Sequence, residues 1–488
     1  VSYEHIDQGS YYDYSATQSD SLFAALKILP DDKSSWDINF ELYQTEFTDN
    51  AGINRPTQAL IDHNLYITGQ GLQANGSTVP GAGSIISPTG QVKIDTSRVL
   101  TDPDNLNQAT TYLVHSIDKR ALSDVMSIKN ISYFQHLQRE EIAQNSFVEI
   151  IDGADTAQNR TELTYQWSDE QQTLFAVDVR YNKVLGYSQF TTEADTPIDL
   201  TGPLSNRRIP LTDAQKARLV ELRPGVYVSP GGQYDINNDG NGDFNLSDTT
   251  DSRSWQTGIA IQQDSQWTDS LRTSAGYRVD YYDVEAHDPI APQGQIAASD
   301  SINDTLQSAQ LSVNYSVNND LTTYAAASYN EATSNSMAGG NTLGGDNTIS
   351  AQNFATENTL VEFGVKYAPT QSDWYADAAV FSQRRSLRNR DGSNTGIRTT
   401  GFESQVFYDA YPYWISAGYS YIDARYDNSA TGQDSAQIAD AFDNSRPDII
   451  AGNSIGAPSY TAFAPSNRQV QGIPEQSLSL NANYTITS

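Results

Sequence analysis

Regular alternation of apolar and polar side chains, repeated along the chain, is the feature that most constrains its fold. In residues 36–47, WDINFELYQTEF, the apolar Trp36, Ile38 and Phe40 are each separated by one polar residue. Successive side chains of an extended strand point to opposite faces, so this stretch has one apolar face and one polar face. We count about sixteen such segments, each long enough for the roughly 9–11 residues that a tilted strand needs to cross a bilayer.

The connections between these segments alternate between short and long. The short ones are polar turns, such as TDS at 268 and NND at 318. The long ones cover roughly 48–111, 143–159, 191–254, 288–305, 333–356 and 428–474. Short periplasmic turns and long outer loops on opposite rims are typical of an outer-membrane β-barrel. The alternative is a soluble all-β protein such as a propeller, but propellers do not carry roughly 60-residue loops on one rim only.

The sequence therefore predicts an all-β fold, an antiparallel transmembrane β-barrel with long loops on one rim and short turns on the other. Apolar side chains meet lipid, and polar side chains line the lumen. We expect an outward orientation for Phe40, Val177, Ile261, Val313 and Leu480. We expect an inward orientation for Asp37, Asp178, Gln262, Asn314 and Asn481. Tryptophans at predicted strand ends mark an aromatic girdle, namely Trp36, Trp255, Trp267, Trp374 and Trp414.

Composition excludes several classes of function. A net charge of −31 argues against nucleic acid as a partner, because phosphate binding requires a basic surface. The absence of cysteine excludes disulfides, thiolate metal sites and thiol nucleophiles. No apolar run approaches the roughly 18 residues of a membrane-spanning helix. The chain begins at Val1 inside a strand-like stretch, without an initiator Met or a signal peptide, so we expect it to be a fragment.

One segment matches a catalytic pattern. GNSIG at 452–456 fits the nucleophile elbow around Ser454, but that mechanism needs a histidine base later in the chain. All the histidines lie upstream, at His5, His63, His115, His136 and His287. Because no catalytic constellation is present, we predict that the chain is not an enzyme and requires no cofactor.

The segment LTDAQKARLVELRPG, residues 211–225, predicts a short helix within a long loop. Thr212 or Asp213 would cap its start, and Pro224 lies beyond its end. Such a helix either docks a partner or packs the loop that contains it.

Residues 235–245, DINNDGNGDFN, resemble a calcium-binding loop. Hard oxygen ligands alternate at Asp235, Asn237, Asp239, Asn241 and Asp243. Gly240 lies where such a loop turns tightly, but Leu246 replaces the bidentate Glu that usually closes the site. Asp, Asn and Gly are also ordinary turn residues, so the alternatives are a structural calcium site and an Asx-rich turn.

The segment RRSLRNR, residues 384–390, places several basic residues at the outer end of a predicted strand. If the phase of Trp374 persists, Arg384, Arg388 and Arg390 face outward at the rim where lipopolysaccharide phosphates lie. A guanidinium suits phosphate because its donors match two oxygens at once. The alternative is a solvated charge cluster without a ligand.

Five segments carry a resemblance to a known family: SYEHIDQGSYYD (2–13), INFELYQTEFTDNAGINRPTQALID (38–62), LVEFGVKYAPTQSDWYADAAVFSQRRSLRNRDGS (360–393), IRTTGFESQVFY (397–408) and GIPEQSLSLNANYTI (472–486). The chain resembles TonB-dependent outer-membrane receptors, most closely those for ferric siderophores. The hairpin from 360 is the most specific segment, because the family follows it with a Gly-Phe/Val-Glu strand, here Gly401, Phe402 and Glu403.

The resemblance implies a plug domain followed by a 22-stranded barrel in the bacterial outer membrane. On this basis we expect residues 1–488 to be a partial barrel domain of about 16 strands, without the plug, its energy-coupling box and the last strands. The implied function is uptake of a large, scarce solute, and the closest resemblance, to receptors for ferric siderophores, implies that the solute is one of these. Uptake would be powered through the plug by the inner-membrane TonB complex. The alternatives are a passive channel or adhesin, or a receptor for cobalamin or a glycan.

Candidate solute contacts are aromatic and basic groups of the outer loops. Aromatic faces with hydrogen-bonding tips suit the rim of a chelate, and a cation suits an anionic complex. The predicted contacts are Tyr11, Tyr12, Tyr14, Tyr187, Tyr282 and Arg207.

Overall fold

The computed structural model of the chain describes most of the predicted strands and part of each long loop. The described residues are 1–48, 52–53, 58–72, 85–143, 147–190, 198–211, 213–217, 220–223, 226–228, 249–287, 299–333, 337–341, 343, 348–349, 354–388, 394–426, 432–437, 459–464, 469–470 and 472–486. Among them, no helix is long and apolar enough to cross a membrane.

The described residues form short helices and many strands. The helices are α1 (Gln58–His63) and α2 (Asp213–Lys216), with 3₁₀ turns at Leu204–Asn206 and Met337–Gly339. The first strands are β1 (Ser2–Gly9), β2 (Ala16–Asp31), β3 (Ser34–Phe47), β4 (Leu65–Leu72), β5 (Ile85–Lys93), β6 (Leu106–Ala121), β7 (Met126–Ala143), β8 (Phe147–Ser168), β9 (Gln171–Phe190), β10 (Val220–Arg223) and β11 (Val226–Val228). The others are β12 (Thr249–Gln266), β13 (Leu271–His287), β14 (Ser299–Ser316), β15 (Leu321–Thr333), β16 (Ala355–Tyr367), β17 (Trp374–Arg388), β18 (Asn394–Ala410), β19 (Tyr413–Tyr426), β20 (Gly432–Gln437), β21 (Ser459–Ala464) and β22 (Gln476–Tyr484).

Sixteen of these strands form one antiparallel sheet, which confirms the predicted fold class. Its order is β1-β2-β3-β6-β7-β8-β9-β12-β13-β14-β15-β16-β17-β18-β19-β22. The remaining strands form two-stranded hairpins inside the long loops, namely β4–β5, β10–β11 and β20–β21. Within the described residues, β1 and β22 end the large sheet and each pairs with one neighbour, as expected for edge strands.

The pairing register separates the two faces of the sheet. Val177 of β9 lies opposite Ile259 of β12, and Phe175 lies opposite Ile261. These side chains are exposed, as expected of an apolar face that meets lipid. Asp178, the next residue along β9, belongs to the other face and is only 2% exposed. Directly opposite residues share a face, so the register extends this assignment across the sheet.

Aromatic side chains mark two levels on the outward face. Trp267 directly follows β12 at a short turn, and Trp255 lies twelve residues earlier beside Tyr181, with ring centroids 4.7 Å apart. At about 3.3 Å per residue and a tilt of about 40°, twelve residues rise about 30 Å, the thickness of the hydrocarbon core. The prediction that Trp255 ends its strand is therefore wrong. Its strand continues beyond the membrane toward the long loops.

Two further expectations about the loops are also wrong. The predicted loop at 143–159 is mostly strand, because β7 ends at Ala143 and β8 begins at Phe147. Residues 147–156 lie above the level of Trp255 and so extend above the membrane, where outward side chains need not be apolar and the alternation disappears. The predicted helix over 211–225 is a single turn, α2, and the apolar part that follows pairs instead as β10 with β11.

A hydrogen-bonded group of polar side chains interrupts the outward face between β7 and β8. Asn130 donates to Thr161 Oγ1 at 2.8 Å and to Asn159 Oδ1 at 3.1 Å. Asn159 donates back to Asn130 at 3.0 Å and to Ser132 Oγ at 2.9 Å. We call Asn130, Ser132, Asn159 and Thr161 the amide cluster. Its members satisfy one another, which is what a polar group facing hydrocarbon requires.

Candidate functional site

A continuous series of ion pairs crosses the inward face at the middle of the sheet, from β7 to β13. We call it the charge ladder, and its members are Lys129, Glu162, Arg160, Asp178, Arg278 and Asp280. Three cations alternate with three anions, so the ladder is neutral as a whole. Its separations include 3.3 Å from Lys129 Nζ to Glu162 Oε2 and 2.7 Å from Arg160 Nε to Glu162 Oε1.

Arg278 joins the last two anions of the ladder, Asp178 and Asp280. It donates from Nη2 to Asp178 Oδ1 at 2.8 Å and from Nε to Asp280 Oδ2 at 2.6 Å. Asp280 also accepts from Gln256 Nε2 at 2.8 Å. Gly258 lies opposite both Asp178 and Asp280, and a Cβ there would come within 2.3 Å of Arg278 Nη2. The guanidinium therefore occupies the space that a side chain at position 258 would fill.

A second inward group lies on β15 and β16. The Tyr324 hydroxyl donates to Glu362 Oε1 at 2.6 Å, and Lys366 Nζ lies 5.5 Å from the centre of the Tyr324 ring. A Cβ at Gly364 would come within 2.4 Å of the same ring. Glycine again allows a large inward side chain to lie flat against its neighbouring strand.

The described residues of the loop between β15 and β16 lie over the inward face. We call residues 337–354 the strap, of which 337–341, 343, 348–349 and 354 are described. The backbone N–H of Asn341 donates to Ser252 Oγ at 2.9 Å, and Asn182 Nδ2 donates to the carbonyl of Gly339 at 3.3 Å. An apolar cluster holds three further described residues of the strap, Leu343, Ile349 and Phe354, against Val284, Ala286, Tyr282 and Ile302.

The strap lies above the charge ladder on the side of the long loops. Asn182 follows Asp178 by four residues on β9, and Val284 follows Asp280 by four residues on β13. Four residues of a tilted strand rise about 10 Å. Because its contacts run from β9 to β14 on the inward face, the strap narrows the loop-side mouth of the lumen above this part of the wall.

Three outer loops meet around Arg207, which is 2% exposed. Its Nη2 donates to the carbonyls of Val99 and Thr101, and its guanidinium lies 5.2 Å from the centre of the Tyr14 ring. The Tyr14 hydroxyl donates to the carbonyl of Leu204 at 2.7 Å. Burial lowers the pKa of the Arg207 guanidinium, whose ordinary value is high enough that the group stays charged.

Arg208, the next residue, binds the same loop from its polar side. Its Nε donates to Asp102 Oδ2 at 2.6 Å, and a second nitrogen donates to Asp104 Oδ2 at 2.5 Å. The hydrogen bonds to Asp102 raise the pKa of Arg208 further above its usual value. Beneath these pairs lies an apolar core shared by the same loops, made of Leu60, Tyr66, Ile94, Leu100, Ile198 and Leu200. We call this assembly the loop clamp.

The structure brings together four of the six predicted solute contacts. Tyr11 and Tyr12 touch edge to face at 5.4 Å on the loop that also carries Tyr14, and Tyr14 packs on Arg207. Tyr11 and Tyr12 are exposed, whereas Arg207 is buried by loop carbonyls. Tyr282 lies apart from them, at 5.7 Å from Phe354 of the strap. Contact of these residues with a solute stays a prediction.

Other predicted sites fall partly or wholly outside the described residues. The backbone of Tyr187 lies in β9, but its side chain is outside them. The side chain of Arg388 and all of Arg390 also lie outside the described residues. The predicted calcium ligands, residues 235–243, also lie outside them. Among the described residues, no three His, Asp or Glu side chains are grouped to hold a metal ion.

Sequence reasoning missed the charge ladder and the strap. Alternation places Asp178 on the inward face, but it does not tell which cation lies beside it. One signal was available: Gly258 interrupts an otherwise regular strand, and glycine within a strand often marks a close approach by another group.

Comparison with known proteins gives a family and a fold. A family model described as "TonB dependent receptor-like, beta-barrel" matches residues 142–487, more than two thirds of the chain. No curated protein sequence matches the chain.

Solved structures similar to the chain include three uptake proteins. The siderophore receptor PiuA from Acinetobacter baumannii has 14% identity and a TM-score of 0.59, over 99% of this chain and 64% of that one. The ferric-catecholate import receptor Fiu from E. coli K12 has 13% identity and a TM-score of 0.58, over 99% and 64%. The ferric yersiniabactin uptake receptor FyuA from Yersinia pestis has 13% identity and a TM-score of 0.59, over 97% and 57%. The chain thus spans less than two thirds of each relative's length.

Proposed function

Because the chain belongs to the TonB-dependent receptor family, within its β-barrel domain, we propose that it forms the wall of a receptor that imports a ferric-siderophore-like solute. Members of this family are bacterial outer-membrane proteins and transporters. Family membership therefore confirms the predicted localisation and the prediction that the chain is not an enzyme.

The observation that carries the proposal is the strap folded over a polar, ion-paired lumen wall. A wall of alternating charges and hydroxyls suits a large hydrophilic solute, which an apolar passage would exclude. The described residues of the strap contact that wall through polar bonds, such as Asn341 to Ser252, and through an apolar cluster. PiuA, Fiu and FyuA are named for siderophore, ferric-catecholate and ferric yersiniabactin uptake, and this supports an iron chelate as the solute class.

Within this proposal, the predicted contact residues have different roles. Tyr11 and Tyr12 are exposed at the loop side of the sheet and would touch the solute. Arg207 is held by loop carbonyls and would position Tyr14 and the clamp. Energy for import would come from the inner-membrane TonB complex through the receptor's plug domain.

The solute class is tested by growth and uptake. Deletion of the gene should abolish growth on one ferric chelate when iron is limiting, and uptake of that radiolabelled chelate should also disappear. Unchanged growth on every iron source, with reduced uptake of cobalamin or a glycan, would contradict the choice of an iron chelate. Ion conductance by the purified receptor without TonB-dependent uptake would favour a passive channel.

The path through the lumen is tested by tethering the strap. The chain has no cysteine, so Ser252→Cys with Asn341→Cys introduces its only pair of thiols, at positions where Ser252 Oγ lies 2.9 Å from the backbone nitrogen of Asn341. We expect uptake to stop when this pair is oxidised and to return when it is reduced. Each single variant is the control and should transport under both conditions. Full uptake by the oxidised pair would show that the solute does not pass this strap.

We also propose, from the sequence, that Asp235, Asn237, Asp239, Asn241 and Asp243 hold a structural calcium ion in their long loop. Clustered carboxylates repel one another unless a cation lies between them. The absence of a closing Glu predicts weak binding, in roughly the millimolar-to-submillimolar range. Calorimetric titration of the receptor with Ca²⁺ should give heat that the Asp239→Ala variant loses. Equal heats from the two proteins would leave only an Asx-rich turn.

A further inference from the structure

Two buried arginines of the loop clamp lie beside one carboxylate without hydrogen bonding to it. Arg98 Nε lies 3.6 Å from Asp13 Oδ2, and Arg207 Nη1 lies 3.8 Å from the same oxygen atom. Both distances are too long for an N–H···O hydrogen bond. The side chain of Arg98 is 18% exposed, that of Asp13 14% and that of Arg207 1%. Two cations and one carboxylate are therefore held together where water has little access.

The two guanidinium groups keep unused donors inside the clamp. Nη1 of Arg98 and both Nε and Nη1 of Arg207 are buried, and none of these nitrogens has a hydrogen-bond partner among the described residues. Arg207 binds the loop carbonyls through Nη2. The unpartnered acceptors on the loop between β1 and β2, Asp13 Oδ2 and Ser15 Oγ, are fewer than these donors. Buried polar atoms are nearly always hydrogen-bonded in proteins, so a bound ion or water is expected here.

The charges at this point favour an anion. Among the described residues, Asp13 is the one carboxylate within ion-pair range of either guanidinium. Burial lowers the pKa of Arg207, whereas Asp13 and Tyr14 raise it, and the nearby cation of Arg98 lowers it. Arginine nevertheless stays protonated in proteins, so a second positive charge is left inside the clamp without a carboxylate of its own. A buried charge without a partner is costly, and a bound anion offsets that cost.

We propose that the loop clamp binds one small inorganic anion, such as chloride, between Arg98 and Arg207. A water molecule has to donate as well as accept, whereas a monatomic anion accepts from every N–H that points at it. The unused Nη1 of Arg98 and Nε of Arg207 are not the atoms nearest Asp13, so an anion held by them lies away from that carboxylate. A chelate cannot reach this position because Arg207 is almost fully buried. The anion site is therefore separate from solute binding.

A small anion at this position would fasten three loops to one another. Asp13 lies on the loop between β1 and β2, Arg98 on the loop between β5 and β6, and Arg207 on the loop between β9 and β10. The first of these loops also carries the exposed Tyr11 and Tyr12. The anion would order the outer surface of the receptor without touching the solute that the receptor binds.

Bromide tests the position of the ion, because it replaces chloride and scatters X-rays anomalously. Crystals of the full-length receptor are soaked in sodium bromide, and data are collected at the bromine absorption edge. We expect an anomalous peak in contact with Arg98 and Arg207. An ordered water at that place, without an anomalous peak, would overturn the proposal.

Amide exchange tests whether the ion holds the clamp together. Exchange in the three loops is measured by mass spectrometry in sodium chloride and in sodium gluconate of equal ionic strength. An anion that binds only the closed clamp slows exchange by one plus the ratio of its concentration to its Kd, so we expect about a tenfold slowing at roughly ten times the Kd. A bromide peak without any effect of chloride on exchange would leave an adventitious ion only and would also overturn the proposal.

Arg98→Gln should lose both the bromide peak and the effect of chloride on exchange. The matched control is Arg253→Gln, since Arg253 is an exposed arginine of β12 whose Nε donates directly to Glu285 Oε2 at 2.7 Å. This variant should respond to chloride as the unmodified receptor does. Heat-dependent migration in detergent gels establishes that each variant is folded. An equal effect of chloride on folded Arg98→Gln would indicate a general action of salt and contradict the proposed site.

Discussion

Replacement of Gly258 by alanine tests whether the charge ladder is a stabilising part of the lumen wall. The added Cβ would lie 2.3 Å from Arg278 Nη2 and 2.4 Å from Asp280 Oδ1. Contacts this short do not exist in folded proteins, so the guanidinium or the carboxylate must move. Both are the ends of flexible side chains. However, the guanidinium is held by Asp280 and by Asp178, which is only 2% exposed, and the Asp280 carboxylate also accepts a hydrogen bond from Gln256.

The size of the effect follows from what Asp178 loses. Breaking a buried ion pair costs about 3–5 kcal/mol, because the remaining charge is left without its partner. Arg160 still lies 3.4 Å from Asp178 and compensates part of this loss. Alanine is itself favoured over glycine in a strand by about 0.5–1 kcal/mol. We therefore expect Gly258→Ala to lower the free energy of unfolding by about 2 kcal/mol.

Gly276 provides a matched control on the neighbouring strand and the same inward face. A Cβ there would lie 3.1 Å from Cγ and Nε2 of Gln310, a neutral side chain that can move by a few tenths of an ångström. We expect Gly276→Ala to leave stability unchanged within about 0.5 kcal/mol or to raise it.

The assay is reversible unfolding by urea or guanidinium in lipid vesicles, followed by tryptophan fluorescence. Equal unfolding free energies for Gly258→Ala and Gly276→Ala would refute the argument that Arg278 occupies the space that a side chain at position 258 would fill. A large loss of unfolding free energy in both variants would instead indicate that any side chain at these two inward positions destabilises the sheet.

Three further predictions concern other parts of the chain. Asn159→Leu should destabilise the fold by about 1–2 kcal/mol because it removes both hydrogen bonds that Asn130 exchanges with Asn159 toward lipid, and Asn130→Leu/Asn159→Leu should recover most of this in the same unfolding assay. Tyr14→Leu should speed amide exchange in the loop clamp by roughly tenfold or more, measured by mass spectrometry, since it removes a hydrogen bond and a cation–π contact. Hydrogen bonds from Thr370 lower the pKa of Asp320 in a short turn. They therefore stabilise the fold above the ordinary carboxyl pKa and lose this effect as pH falls through the lowered value. Thr370→Val should raise that pKa in an NMR titration. An unchanged result in any of these measurements would contradict the contact concerned.

The strands could be predicted because hydrocarbon demands an apolar side chain at every second position. Beyond the membrane boundary this requirement no longer applies, and it is there that the predicted limits of the strands were wrong. Residues 147–156 of β8 lie above the level of Trp255 and extend beyond the bilayer, and this part of the strand was interpreted as loop. The level of Trp255 was missed for the same reason, since nothing in the sequence marks where the strand continues into water.

The candidate site was less predictable because its contacts join distant parts of the chain. Asp178 and Arg278 are one hundred residues apart, and only the register of three strands makes them neighbours. The strap was recognised as a loop, but its inward path depends on the packing of Phe354 against Val284 and Tyr282. Arg207 was selected for its charge, yet its guanidinium is bound by loop carbonyls, which residue type alone cannot reveal.

The missing side chain at Gly258 also limits how the chain can change during evolution. Any substitution at that position displaces the long cation at 278, so a viable lineage must first shorten or neutralise position 278. Asp178 would then lose its main partner, which favours a simultaneous change to a neutral residue there. Positions 178, 258 and 278 should therefore covary as a trio among related receptors, whereas Gly276 and Gln310 can drift independently of them.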